Sequence, residues 1–169
     1  DYKKAYRLVV FFKETGGTGG NFYLGCDGGS TLNLNGSING NPYFFAIGRS
    51  NFTTGKWYMA VGYIHGYGDT DSTSYSKIYD VETGEVVATG TDYKNSYGAA
   101  YQTHRVYQFY DTSAGTQTYW NPRFEEINGK DLIFKFDKLA NWRTDGSSML
   151  NFLMSNSSVP SNNKFSLSS

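Results

Sequence analysis

The sequence predicts an all-β fold, an antiparallel β-sandwich of the jelly-roll type. Aromatic residues make up 18% of the 169 residues, and their rings favour the half-buried surface of a pleated sheet. The chain also contains 20 Gly, which tight turns use readily. Long stretches rich in Ala, Leu, Glu and Lys, typical of helices, are missing from the sequence. Many short strands joined by turns are therefore expected in a chain of one-domain length.

Short apolar or alternating runs predict the individual strands, and Gly-rich or Asn-Gly turns separate many of them. Their even spacing, without strand–helix alternation, favours a sandwich over a parallel α/β sheet. The predicted strands cover residues 6–13, 21–26, 31–35, 42–47, 56–65, 77–80, 85–88, 103–110, 119–127 and 131–136.

The last part of the chain has a different composition. Residues 138–154 can form a short helix, and residues 155–169 are rich in Ser and Asn with few apolar anchors. We therefore expect a β-sandwich domain over residues 1–137 and a helical or irregular extension over residues 138–169 that leads into a linker. Because the chain starts at Asp1, directly before an apolar run, we interpret it as a piece of a longer protein.

The charge balance bears on the class of partner. The formal net charge is +0, with 15 basic and 15 acidic residues and no run of Lys or Arg, which argues against a nucleic-acid partner. No apolar run approaches the length that spans a bilayer, so membrane insertion is not expected. A neutral surface rich in Tyr, Gly and Asn favours neutral ligands such as sugars.

The central part of the chain carries a recognisable strand pattern. Lys-Trp-Tyr-Met-Ala-Val-Gly at residues 56–62 is followed by Lys-Ile-Tyr-Asp at residues 77–80, then Gly84 and Val-Val at residues 86–87. This pattern resembles the concanavalin A-like lectin/glucanase superfamily, which includes laminin-G-like modules. The resemblance covers roughly residues 5–137. Within the superfamily, the chain is most similar to lectin-like tip domains of bacterial adhesins and phage tail fibres.

The resemblance implies two antiparallel sheets, one of them concave and often facing the ligand. It implies a cell-surface glycan, or a surface protein or peptide, as the partner. It also implies an extracellular location, or one on a cell or virion surface, and it allows a homo-oligomer formed through a parent fibre.

The polar loop from Gly66 to Ser74 is the first candidate binding element. Asp69 and Asp71 lie two residues apart beside hydroxyl groups. Ca²⁺ takes roughly six to eight oxygen ligands, so these two carboxylates are candidate calcium ligands. The loop does not match an EF-hand, and further oxygen donors would have to come from elsewhere. The alternative is a solvated loop in which Asp and Ser only form turns.

Further candidate ligand-binding residues lie at strand ends. His65 ends one predicted strand and His104 begins another, and we expect these strands to be sheet neighbours. His65, Asp69, Asp71, His104 and Arg105 would then hydrogen-bond sugar hydroxyls. The alternative is that each His packs at a strand end with one ring nitrogen satisfied. A metal site built on the two histidines would need more ligands.

Two tyrosines are candidates for stacking on a sugar. Tyr67 lies in the polar loop, where no core explains a large ring. Tyr107 and Tyr110 point to opposite faces of their strand, and we expect one of them to line the site. Tyr107 therefore joins Tyr67 among the candidate ligand-binding residues.

Binding is expected rather than catalysis. A glycoside hydrolase needs two carboxyl groups that flank the sugar bond, and the Glu-x-Asp-x-x-Glu motif of jelly-roll glucanases is absent. Glu125 and Glu126 are adjacent, so they point to opposite strand faces. The main hypothesis is a carbohydrate-binding module for receptor recognition or adhesion. A peptide- or protein-binding module is the first alternative, a glycoside hydrolase the second, and a structural spacer is a further one.

Overall fold

The structure, a computed structural model, describes residues 1–16, 19–109 and 115–127. Those ranges confirm the all-β class, because they contain ten strands and one short 3₁₀ helix at Arg49–Asn51. The strands are β1 (Ala5–Thr15), β2 (Asn21–Gly25), β3 (Thr31–Asn33), β4 (Tyr43–Gly48), β5 (Trp57–His65), β6 (Lys77–Asp80), β7 (Val86–Thr89), β8 (Tyr93–Asn95), β9 (Arg105–Phe109) and β10 (Thr116–Ile127).

Nine of these strands match predicted ones, with ends that differ by a few residues. The predicted strand at 131–136, the extension at 138–169 and Tyr110 lie outside the described residues. Within the described ranges, no helix is long and apolar enough to cross a membrane.

The strands form two sheets. The larger has seven strands in the order β10-β1-β5-β6-β7, with β8 beside β5 and β3 beside β8. The smaller has the order β4-β2-β9. The pairs are antiparallel except for β5 and β8, which run parallel over two residue pairs. The sequence pattern does not predict β8, because a strand of three residues is too short to show a period.

A hydrophobic core cluster takes side chains from both sheets. Phe12 of β1 stacks on Phe22 of β2, with ring centroids 3.9 Å apart. The sheets also approach closely at Gly62 of β5, where an added Cβ would lie 2.3 Å from Cδ2 of Phe44 in β4. Only Gly leaves room there for the Phe44 ring, so the contact fixes where β4 crosses β5.

Strand β1 is apolar on both of its faces. Leu8, Val10 and Phe12 belong to the core cluster between the sheets. Val9 and Phe11 point the other way and belong to a second buried cluster with side chains of β5. Burial on both faces explains why this run is continuously apolar instead of alternating with polar residues.

The edge of β5 that faces away from β1 changes partner along its length. β6 pairs with the first half of β5, and β8 pairs with its last two residues. Between them, the Tyr63 N–H donates to Oγ of Ser76 at 3.0 Å. The fully buried carboxylate of Asp92, directly before β8, accepts the Ser76 N–H at 2.8 Å. Asp92 and Ser76 therefore join the starts of β8 and β6 to β5.

A buried ion pair connects β1 to the 3₁₀ helix. Arg49 Nε donates to Glu14 at 2.5 Å, and their side chains are 0% and 2% exposed. The same guanidinium donates to the carbonyl oxygens of Gly16, Gly19 and Thr116. This cation thus holds the β1–β2 connection and the start of β10 together.

We expect Arg49→Met to lower the free energy of unfolding by about 3–5 kcal/mol, because it removes the cationic partner of the buried Glu14 carboxylate. Urea denaturation measures the change. Lys4→Met is the control, since the ion pair of Lys4 with Glu126 is exposed (48% and 40%) and its loss is expected to leave the midpoint unchanged. Equal midpoints for the two variants would contradict the structural importance of the buried pair.

Candidate functional site

Tyr67 lies at the corner of a tight turn directly after β5. The Asp69 N–H donates to the Gly66 carbonyl at 3.1 Å, which closes the turn. Gly68 has a φ of 85°, the conformation that the third residue of a type II turn requires. Tyr67 occupies the second position, and its side chain is 42% exposed.

Three tyrosines meet at the surface beside this turn, and we call them the tyrosine cluster: Tyr2, Tyr67 and Tyr97. Their rings contact one another edge to face, with centroids 5.4–5.8 Å apart. They come from three separate segments: the first residues of the chain, the turn after β5 and the connection after β8. Tyr97 is 75% exposed, so the cluster presents aromatic surface to solvent instead of filling the core.

A pocket of about 140 Å³ adjoins the cluster and shares Tyr2 with it; we call it the tyrosine pocket. Tyr6 and Phe124 line it and stack on each other, with ring centroids 4.9 Å apart. Tyr101, which is 62% exposed, and Gln102 also line it. The cluster and the pocket therefore form one continuous surface of aromatic rings with some polar groups.

The N-terminal segment packs directly on the turn and so places Tyr2 beside Tyr67. The Tyr67 N–H donates to the Tyr2 carbonyl at 2.7 Å. A Cβ added at Gly66 would lie 2.3 Å from the Lys3 carbonyl oxygen, so the two backbones touch at this point. Gly66 is thus required for the approach that brings Tyr2 and Tyr67 together.

His65 is buried, at 2% exposure, and both of its ring nitrogens face carboxylates. Nδ1 lies 3.2 Å from Asp69 and Nε2 lies 2.9 Å from Asp92. Burial works to lower the pKa of His65, but the hydrogen bonds and charges of Asp92 and Asp69 outweigh it and raise the pKa above its usual value. The ring has no nitrogen left for a sugar, so this geometry fits a packed histidine rather than a direct ligand contact.

Asp69 and Asp71 bond within their own loop. Asp69 accepts the Asp71 N–H at 2.9 Å, and Asp71 accepts the Thr73 N–H at 2.8 Å and the Tyr75 hydroxyl at 2.7 Å. The Thr73 backbone bond, followed by the Tyr75 bond, lowers the pKa of Asp71 to about 2. In the described ranges no group of three or more His, Cys, Asp or Glu side chains is arranged to hold a metal ion, and the calcium prediction rests on this pair alone.

His104 packs against β1 and not in a strand next to that of His65. The prediction that its strand neighbours that of His65 is wrong, because β9 and β5 belong to different sheets. Nε2 of His104 donates instead to the Val9 carbonyl of β1 at 3.2 Å. Val9 lies beside a bulge where Asn121 has a φ of 49° and Pro122 lacks an N–H. Burial lowers the pKa of His104, which favours the neutral ring.

Arg105 and Tyr107 lie together on β9 of the smaller sheet. Tyr107 stacks on Tyr23 with centroids 5.1 Å apart, and its hydroxyl bonds to that of Tyr43. The Arg105 guanidinium lies 4.8 Å from the centre of the Tyr43 ring and donates to Asn41 at 3.3 Å. The predicted residues therefore do not form one site. Asp69 bonds to His65 and lies in the same turn as Tyr67, whereas Arg105 and Tyr107 contact Tyr43 in a separate aromatic group.

The sequence analysis did not select Tyr97 or the residues of the tyrosine pocket, which include Tyr2. The criterion that selects Tyr67, a large ring in a polar loop with Gly, also selects Tyr97 in Asn-Ser-Tyr-Gly. Tyr2 and Phe124 carry no such signal, since each belongs to the site only through contacts with distant segments. No protein-family model, no curated protein and no solved structure matches this chain.

We expect Gly66→Ala to separate the N-terminal segment from the turn, because the new methyl group would collide with the Lys3 carbonyl. Hydrogen exchange at the Tyr67 amide should become faster as its bond to Tyr2 is lost. The control is Gly40→Ala, where a Cβ meets no atom within 4 Å. Unchanged protection of the Tyr67 amide in Gly66→Ala would show that the segments are not held by this contact.

Proposed function

We propose that this chain is a non-catalytic carbohydrate-binding module, used for receptor recognition or adhesion on a larger extracellular or surface-displayed protein. The observation that carries the proposal is the continuous aromatic surface of the tyrosine cluster and the tyrosine pocket. The apolar C–H face of a sugar ring packs on such exposed aromatic rings, and nearby amide and hydroxyl groups set its orientation.

The exposure of these rings supports a binding role. Tyr97 and Tyr101 are 75% and 62% exposed, although a Tyr buries most of its surface when it serves a core. Contiguous exposed aromatic groups mark interaction sites on folded domains. The formal net charge of +0 fits a neutral ligand better than a polyanion.

The fold supports the same proposal. We propose that the two sheets, which share one core cluster, pack as a jelly-roll sandwich similar to that of the concanavalin A-like lectins. In such a sandwich, connections cluster at the ends of the sheets, where a binding surface can vary without disturbing the core. The tyrosine cluster draws two of its three rings from such connections, those after β5 and β8.

Two buried carboxylates are paired with Arg side chains, which fits a non-catalytic role. Glu14 pairs with Arg49, and Glu125 with Arg7. Among the described residues that line the tyrosine pocket, Asp1 contributes a side-chain carboxylate, whereas glycoside hydrolysis uses a pair of them.

A glycan array tests the proposal, run once with calcium and once with chelator. Selective binding of neutral sugars is the expected result. Weaker binding in chelator would support the predicted calcium dependence through Asp69 and Asp71, and equal binding in both buffers would argue against it. No glycan binding, together with capture from a peptide library, would favour the peptide-binding alternative.

We expect Tyr67→Ala and Tyr97→Ala each to weaken binding of the selected glycan about tenfold, because truncation of an aromatic anchor costs over about 1 kcal/mol. Calorimetric titration measures the change. Val87→Ala is the control, since Val87 is also an exposed apolar residue (43%) but lies on β7, at the other edge of the larger sheet from β10. Wild-type affinity in both tyrosine variants would place the sugar elsewhere.

A further inference from the structure

We propose that the face of the smaller sheet that points away from the core carries a second binding site, which takes a sugar that bears a carboxylate. Four side chains form it, and we call them the small-sheet site: Tyr23, Tyr43, Arg105 and Tyr107. The choice of a sugar rests on the proposed function, whereas the carboxylate follows from Arg105 itself. The geometry that carries the inference is a guanidinium that lies against an aromatic ring and donates to neutral acceptors.

Strand alternation places the small-sheet site on the outer face of its sheet. Phe22 and Leu24 of β2 belong to the core cluster between the sheets. Tyr23 lies between them in the sequence and therefore points away from the larger sheet. Tyr107 of β9 is the register partner of Tyr23, so the two rings share this face.

The Tyr43 ring reaches Arg105 by crossing β2 at Gly25. Gly25 follows Tyr23 by two residues, and its register partners are Tyr43 on β4 and Arg105 on β9. A Cβ added at Gly25 would lie 2.7 Å from Cδ1 of Tyr43, so a larger residue would displace the ring. The missing side chain at Gly25 thus lets a ring from one edge strand meet a guanidinium from the other.

The three rings of the small-sheet site hold one another in place. Tyr23 and Tyr107 stack with centroids 5.1 Å apart, and Tyr43 meets both of them edge to face. The hydroxyl groups of Tyr43 and Tyr107 share a hydrogen bond. On the β4 side, the register partner of Tyr23 is the exposed Ala46, whose methyl group is too small to cover a ring. A ligand therefore meets a preorganised set of rings and hydroxyl groups.

Arg105 is an exception among the arginines of the described ranges. The other three each pair with a glutamate: Arg7, Arg49 and Arg123. Within the same ranges Arg105 forms no ion pair. Its Nη1 donates to Oδ1 of Asn41 at 3.3 Å and its Nη2 to the Pro42 carbonyl at 3.2 Å, and both acceptors are neutral. Because a guanidinium stays charged, this half-buried cation is complementary to an anionic ligand.

The guanidinium of Arg105 has the donors that a carboxylate needs. Each Nη carries two N–H groups and has one acceptor in the structure, so one N–H on each nitrogen is left for a ligand. Arginine binds a carboxylate through two parallel charge-assisted hydrogen bonds, which a sugar hydroxyl cannot accept. A carboxylated sugar therefore engages the cation and the rings together, whereas a neutral sugar engages the rings alone.

The phenol groups of the small-sheet site do not oppose an anion. Burial, followed by the bond to Tyr43, raises the pKa of Tyr107 to about 12, so its hydroxyl stays neutral at physiological pH. One cation also matches one carboxylate, which agrees with a formal net charge of +0 and the lack of any run of Lys or Arg in the sequence. The site thus suits a single acidic sugar and not a polyanion.

An NMR titration tests the inference with methyl glucuronide, methyl glucoside and acetate as probes. The two sugars differ only in the carboxylate, and acetate supplies a carboxylate without a ring. The glucuronide should shift the backbone amides of Tyr23 and Arg105, with a dissociation constant about tenfold lower than that of either other probe. Added salt should weaken its binding, because the interaction pairs two charges.

Variants of Arg105 separate its charge from its shape. Arg105→Gln removes the charge but keeps a hydrogen-bond donor, and it should weaken glucuronide binding about tenfold. Arg105→Lys keeps the charge without the two parallel donors and should lie between Arg105→Gln and wild type. Lys13→Gln is the matched control and should bind like wild type, since Lys13 also lies over an aromatic ring, that of Trp57 at 5.0 Å, but on the larger sheet.

Equal affinity for glucuronide and glucoside would overturn the inference, and so would wild-type affinity in Arg105→Gln. Acetate that binds as tightly as the glucuronide would overturn the assignment to a sugar. Shifts confined to Tyr67 and Tyr97 support the proposed function and overturn the small-sheet site. Shifts at Arg105, together with glycan binding that Tyr67→Ala and Tyr97→Ala leave unchanged, support the small-sheet site and overturn the tyrosine cluster as the sugar site.

Discussion

The buried carboxylate of Asp92 is the interaction on which the arrangement around the site depends. It accepts hydrogen bonds from Tyr75, Ser76 and His65, and none of its surface is exposed. A buried charge that loses a partner is costly, so these segments cannot move apart independently. These bonds thereby fix the point where the pairing partner of β5 changes from β6 to β8. They also fix the start of the turn that carries Tyr67.

Aromatic residues serve two different purposes in this molecule. Phe rings such as Phe12 and Phe22 stack between the sheets, where they lose all contact with water. The rings of Tyr2, Tyr67 and Tyr97 instead gather at the surface, where a Tyr combines an apolar ring face with a polar hydroxyl group. The choice of Tyr instead of Phe at positions 2, 67 and 97 therefore keeps an exposed apolar surface soluble, while it retains the area that a ligand can contact.

The parts of the fold that were predictable from the sequence are those with a local cause. β5 follows from its long apolar run, and the β6–β7 hairpin from the Gly84 turn between two apolar segments. Strand order has no local cause, which is why the placement of His65 beside His104 was wrong. Tyr67 was predictable as a ring without a core to fill, but Tyr2 reaches it from sixty-five positions earlier in the chain, a contact that no short-range pattern encodes.

The two-faced burial of β1 has a consequence for biosynthesis. Its partners are β5 and β10, and Tyr6 pairs with Glu126 near the far end of the described chain. A ribosome adds roughly 5–20 residues per second, so the intervening segment takes on the order of ten seconds to appear. During that interval the apolar run of β1 has no complete sheet to enter and offers an adhesive edge to other nascent chains. The pairing of β1 with strands that are made much later therefore leaves its apolar run open to aggregation until β5 and β10 have both been synthesised.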